Sequence, residues 1–143
     1  SRTDGFKKII NNKIGDNNKI ELIPLVPHKD IWKFLYDAHI GVIPFNDIPM
    51  LSKNTPTKLF EFMITGCGIV ASKLQPICKY SPHNISFSEP GNISSLMNAI
   101  EFYLTNIDVY NKHIGHNKEL INKQYNWELL SKKFLNIYKG LMG

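Results

Sequence analysis

The residues best suited to chemistry lie between Asn54 and Ser72, in the run Asn-Thr-Pro-Thr-Lys-Leu-Phe-Glu-Phe-Met-Ile-Thr-Gly-Cys-Gly-Ile-Val-Ala-Ser. Glu61 is a carboxylate that can accept a hydrogen bond from a hydroxyl on each of its oxygens. Lys58 stands three residues earlier, and the plain use of such a pair is a helix-surface ion bridge worth about 0.2–0.5 kcal/mol. The start of the same helix is a second centre. Asn54 or Thr55 can cap it, with Pro56 in the first turn, and the free amides around Thr55, Thr57 and Lys58 sit at the positive end of the dipole, where a diphosphate would bind. Five histidines, at 28, 39, 83, 113 and 116, complete the inventory. His113 and His116 are one helical turn apart, yet a metal site wants further ligands at consistent spacing and the sequence offers none, so no metal is expected. No Ser-His-Asp, Cys-His or paired-carboxylate pattern stands out, and no residue is assigned a catalytic role.

The elements that must position these groups follow from hydrophobic periodicity. Leu59, Phe62 and Met63 share one helical face while Lys58, Glu61 and Thr65 fall on another, and Gly66 stops the helix in the left-handed conformation that glycine favours. Ile69-Val70-Ala71 then reads as a short buried strand. Before it, residues 5–14 form a surface helix ended by the turn Gly15-Asp16-Asn17-Asn18, and residues 19–24 form a strand ended by Pro24 and Pro27. A helix opens at His28-Lys29-Asp30 with Ile31, Phe34 and Leu35 on one face. Residues 40–45 are apolar throughout, as a parallel strand covered on both faces should be. The loop 46–53 beyond that strand is where a ligand belongs in a doubly wound sheet.

Past Ser72, residues 74–82 read as irregular because Gln75-Pro76 and Ser81-Pro82 each discourage a helix. Residues 84–87 make a further strand, Glu89-Pro90-Gly91 turns the chain, and Asn92 or Ser94 caps a helix carrying Leu96, Met97, Ile100 and Leu104. Two more helices cover 108–123 and 127–141. Alternation of strand and helix predicts an α/β fold with a Rossmann-like parallel sheet, helices on both faces and a helical C-terminus. Four strands are expected, near 20–24, 40–44, 68–71 and 84–87.

With 143 residues and 43% hydrophobic content, the chain suits a single domain, 1–143, with a proper core. The charge of +5 comes mainly from lysines spread along the sequence, without an arginine tract. That pattern speaks against nucleic acid and leaves a nucleotide diphosphate or an anionic bilayer surface as partners. No apolar run approaches the ~20 residues of a membrane span, and the first residues lack a signal-peptide core. Cys67 and Cys78 suit neither a CxxC redox pair nor a metal site, so two reduced thiols in a cytoplasmic protein are expected.

The Pro-x-Lys-Leu-x-Glu-x-x-x-x-Gly segment running into a strand that ends Ala-Ser resembles the donor-site helix of GT-B glycosyltransferases of the retaining group 1 type. Ala38-His39-Ile40-Gly41-Val42-Ile43-Pro44 resembles the strand before that helix, and Tyr125-Asn126-Trp127-Glu128 with Tyr138 resembles the closing helix. The likeness runs from about Lys19 to Tyr138. It implies the C-terminal, nucleotide-sugar-binding half of such an enzyme, truncated on its N-terminal side, with Glu61 on the ribose hydroxyls and Val26 and Pro27 against the base. It implies a nucleotide-diphosphate sugar as co-substrate without another cofactor, and a separate N-terminal acceptor-binding domain as partner. Transfer would go to a polysaccharide, lipid-linked or other glycan, with peripheral contact at the inner membrane face, and the isolated piece would be inactive. Ser52 and Lys53 stand where such enzymes often carry a second acidic residue. The rival is a non-catalytic α/β binding or scaffold module with a degenerate nucleotide site; a receiver-like module is disfavoured, since only Asp47 follows the strand at 40–45.

Overall fold

The computed structural model describes residues 2–15, 17–51 and 53–141, with the side chains of residues 2–4, 6 and 7 also outside that description. Asp16 and Ser52, both used in the sequence reading, therefore lie outside the described residues. The chain forms two compact units, Ser1–Ile31 and Trp32–Gly143.

In the first unit, α1 covers Arg2–Ile14 and closes on Gly15 at φ 55°. The Asn17 side chain then accepts from the Lys19 amide at 3.0 Å. The strand expected near 20–24 is absent: residues 20–27 have no regular structure. An extended segment becomes a strand only when a neighbour completes its ladder, and here Pro24 and Pro27 also remove two donors. Helix α2, His28–Asp37, begins directly after Pro27, whose carbonyl accepts from the Asp30 amide at 2.9 Å.

Among the described residues, three parallel strands form, all in the second unit, in place of the four expected along the chain: β1 (Ile40–Ile43), β2 (Gly68–Ser72) and β3 (Ser86–Ser88), in the order β1-β2-β3. Their register pairs Ile40 with Gly68 and Val70 with Ser86. All five residues of β2 are buried, because helices cover both of its faces. Successive side chains on a strand point to opposite faces. Ile69 and Ala71 accordingly pack with Ile43, Leu59, Met63, Ile77 and Ile121, while Val70 packs on the other face with Ala99 and Tyr103.

Helix α3, Thr57–Thr65, connects β1 to β2, and Gly66 ends it at φ 84°. Its start differs from expectation. Pro56 occupies the cap position in extended conformation, and neither Asn54 nor Thr55 caps the helix. Both side chains have other acceptors: Asn54 donates to the Met50 carbonyl at 3.0 Å and Thr55 to the Pro76 carbonyl at 3.4 Å. Thr65 also departs from the polar face, since it is buried and its hydroxyl donates to the Glu61 carbonyl at 2.9 Å, a back-bond that lets threonine enter an interior.

Residues 74–82, expected to be irregular, contain a one-turn helix, α4 (Gln75–Cys78), with Pro76 in its first turn, where no amide is needed. Helix α5 (Ile93–Thr105) is capped by Asn92, which accepts from the Ser95 amide at 3.0 Å. Its buried face is set by Ala99 and Tyr103, so Met97 and Leu104 are exposed rather than inward. Helix α6 (Ile107–Leu120) passes into a π-helical turn at Ile121–Tyr125, and α7 (Trp127–Leu141) follows. No residue of α7 is buried, and Trp127, Phe134, Ile137 and Tyr138 are exposed. Among the described residues, no helix is long and apolar enough to cross a membrane.

Candidate functional site

Helix α3 carries the site because its two sides face different surroundings. Leu59 and Met63 are fully buried against the sheet, which fixes the rotation of the helix and turns Glu61 to the side. The Glu61 side chain is only 14% exposed, against 44% for Lys58, and the lysine Nζ lies 2.5 Å from Glu61 Oε2. A carboxylate so nearly enclosed needs polar partners. Lys58 supplies one on a single oxygen.

Glu61 lines a pocket of about 320 Å³ in the second unit. Trp32 of α2, Phe60 and Ile64 of α3, Tyr125 of the π turn and Trp127 at the head of α7 form much of its wall. The wall is stiffened from behind: Phe60, Tyr80 and Tyr125 form a ring trio with centroid separations of 5.0, 5.7 and 5.3 Å. The π turn presents Ile121, Asn122 and Tyr125 to this pocket, and Asn126 caps α7 by accepting from the Leu129 amide at 2.9 Å. Such turns occur often at functional sites. One carboxylate among aromatic faces suits a ligand with hydroxyls to donate and a flat or apolar body.

The structure brings Lys58 and Glu61 together but does not place the helix start in the same pocket. Thr55 is tied to the Pro76 carbonyl, Thr57 is exposed in the first turn, and neither lines the Glu61 pocket. Among the described residues no side chain caps that end of α3. Val26 and Pro27 belong to the first unit, immediately before α2. Asp47 and Lys53 are exposed in the loop after β1. Trp32 went unrecognised in the sequence, where its only signal was an aromatic at the edge of an amphipathic helix. Tyr125, Asn126 and Trp127 were seen only as parts of a closing helix.

Of the two α6 histidines, His113 packs against the Tyr103 ring while His116 is exposed. His113 Nδ1 is 2.9 Å from the Tyr103 hydroxyl, and His116 Nδ1 is 3.1 Å from the Lys112 carbonyl. Burial lowers the pKa of His113, with Lys112 and His116 adding to the effect, and burial pushes Tyr103 up to about 12. No group of three metal-binding side chains occurs among the described residues.

No protein-family profile and no curated protein matches the sequence. Solved structures do. A glycosyltransferase from Rickettsia africae superimposes with a TM-score of 0.83 at 18% identity, over 99% of this chain and 38% of that one. Sucrose-phosphate synthase from Thermosynechococcus elongatus gives 0.76 at 16% identity, over 94% of this chain and 33% of the other. The C-terminal domain of a glycosyl transferase group 1 family protein from Francisella tularensis gives 0.73 at 17%, over 88% and 65%. The fold is that of a GT-B C-terminal domain, a partial Rossmann-like sheet with a helical C-terminus. The chain spans about a third of the length of the first two neighbours.

Proposed function

We propose that this chain is the donor-binding part of a glycosyltransferase that takes a sugar from a nucleotide-diphosphate sugar and passes it, with retention, to a glycan acceptor held by a separate N-terminal domain. The observation that carries this reading is Glu61, a nearly enclosed carboxylate on the wall of an aromatic pocket, fixed on one oxygen by Lys58. Its carboxylate would accept the ribose hydroxyls, and the uncapped start of α3 around Thr55, Thr57 and Lys58 would meet the diphosphate. In this reading the chain speeds transfer by holding the donor in place and stabilising charge on the leaving phosphate, without a covalent nucleophile or a metal. Alone, it binds donor and turns nothing over. A cytoplasmic location, with peripheral contact at the inner membrane face during polysaccharide synthesis, goes with this role.

A second reading, a scaffold module with a degenerate nucleotide site, draws on Lys53 standing where related enzymes often carry an acid and on Lys58 occupying one oxygen of Glu61. Thermal-shift titrations with UDP, GDP, UDP-glucose and GDP-mannose separate the two. The donor reading predicts stabilisation by at least one nucleotide, by RT ln(1 + [L]/Kd), or about 2.7 kcal/mol at a hundredfold excess over Kd. Indifference of the wild-type chain to all four compounds favours the scaffold.

A further inference from the structure

A second cavity lies at the carboxyl ends of the strands and shares no residue with the Glu61 pocket. It holds about 180 Å³ and is bounded by the residues that leave β1, β2 and β3 and by the head of α5. Ser72, the last residue of β2, is 2% exposed, and its hydroxyl has no hydrogen-bond partner among the described residues. No fully enclosed side-chain oxygen there lacks a partner, so the part of Ser72 still accessible is its hydroxyl, opening into this cavity. Ser88 ends β3 beside it, 3% exposed, with only a 3.5 Å contact to the Ala71 carbonyl. Glu89 is an exposed lining carboxylate with no ion pair among the described residues. Asn46 comes from the other side, its Oδ1 3.5 Å from where a Cβ on Gly91 would stand. Pro44, Ile93 and Leu96 give the remaining wall an apolar surface.

The chemistry of this wall selects the ligand. Among the described residues no lysine, arginine or histidine lines it and a carboxylate does, which disfavours an anion. Among the described residues no aromatic ring lines it either, which disfavours a stacked base. Hydroxyl, carboxamide and carboxylate groups beside small apolar patches match a ring that carries hydroxyls on its rim and C–H groups on its faces. At ~30 Å³ per water, the space equals about six waters, the bulk of one such ring. Its place beyond the strand ends is where parallel sheets collect ligands.

We propose that this cavity binds a neutral saccharide, with Glu89 and Asn46 holding its hydroxyls and the free Ser72 hydroxyl at the floor. The site stands apart from the donor reading, because none of its groups takes part in nucleotide binding there.

Amide shift mapping by NMR on the 143-residue chain tests it, using methyl α-glucopyranoside, methyl β-galactopyranoside and methyl N-acetylglucosaminide, each titrated separately, with inorganic phosphate and magnesium chloride as contrasting probes. The expected result is saturable binding of at least one glycoside, with Kd on the order of millimolar, centred on Asn46, Gly91 and Asn92. Glu89→Gln and Asn46→Ala should each weaken it by about tenfold, consistent with loss of one hydrogen bond to a hydroxyl. Glu89 and Asn46 are exposed, so both variants should fold. A UDP-sugar that shifts these amides together with those around Glu61 identifies the saccharide as the donor's own sugar; a glycoside that acts here without nucleotide identifies a separate one, and either outcome supports the site. Silence toward all three glycosides overturns it, as do shifts that survive both substitutions or tighter binding of phosphate or magnesium at the same amides.

Discussion

Gly68 opens the central strand β2. In the fold, a Cβ at this position would lie 2.5 and 2.8 Å from two ring carbons of Tyr110 and 3.4 Å from Tyr103. Tyr110 cannot simply swing away, because its hydroxyl donates to the His39 carbonyl at 2.9 Å. Gly68→Ala therefore sets two effects against each other. Alanine stabilises by about 0.4–1 kcal/mol through a less flexible unfolded chain. The clash costs about 1–3 kcal/mol, and displacing the tyrosine costs about 0.5–1.5 kcal/mol more through its hydrogen bond. The clash should win, with a net loss near 2 kcal/mol, or a fall in Tm of about 6–10 °C for a chain of this size. Circular dichroism melts measure it. In a Tyr110→Leu background, the cost of Gly68→Ala should shrink, since the ring is the obstacle. A neutral or stabilising Gly68→Ala, or an equal cost in both backgrounds, would refute the packing argument.

Asn117 is 1% exposed; its Oδ1 accepts from the Ser81 hydroxyl at 2.7 Å and its Nδ2 donates to the Asn84 carbonyl at 2.9 Å, so Asn117→Leu should cost about 2–4 kcal/mol by stranding both partners, read by urea unfolding. His113 has a pKa below its ordinary value through burial, Lys112 and His116, while the unfolded histidine titrates near pH 6.5. The unfolded chain thus takes up the proton first as pH falls. The His113 contribution to stability is present above about pH 6.5 and is lost as pH drops through the folded-state value, and His113→Gln should flatten that limb of a pH series of unfolding curves. Tyr103 works in the opposite direction: raised to about 12 by burial, its contribution is intact below about pH 10 and is lost as pH rises toward 12, a limb that Tyr103→Phe should remove.

The parts of the fold legible in the sequence were those fixed by local chemistry. Gly66 stops α3 because its φ of 84° suits glycine, Asn92 caps α5 with its own side chain, and residues 68–71 read as a buried strand because every residue is apolar or small. What the sequence misread depended on partners distant in the chain. Residues 20–24 have the composition of a strand but no ladder beside them. Thr55 has the chemistry of a cap but spends its hydroxyl on Pro76. Leu104 and Met97 fit a helical stripe, yet the sheet receives Ala99 and Tyr103, so the stripe is rotated. The candidate site divides the same way. Lys58 and Glu61 are three residues apart and their contact was readable, whereas Trp32 and Tyr125 meet Glu61 only through tertiary packing.

The most direct test of the donor reading is a cycle that removes the two halves of one contact in turn. Calorimetric titration of UDP and 2′-deoxy-UDP into the wild-type chain and into Glu61→Ala gives four affinities, with the GDP pair used instead where the thermal-shift series favours guanine. A hydrogen bond to a charged group contributes about 1.5–3 kcal/mol, so the deoxy compound should bind the wild type at least about tenfold more weakly. Glu61→Ala should bind the ribo and deoxy forms equally. A variant that still prefers the ribonucleotide by the wild-type margin would contradict the assignment of Glu61 to the ribose.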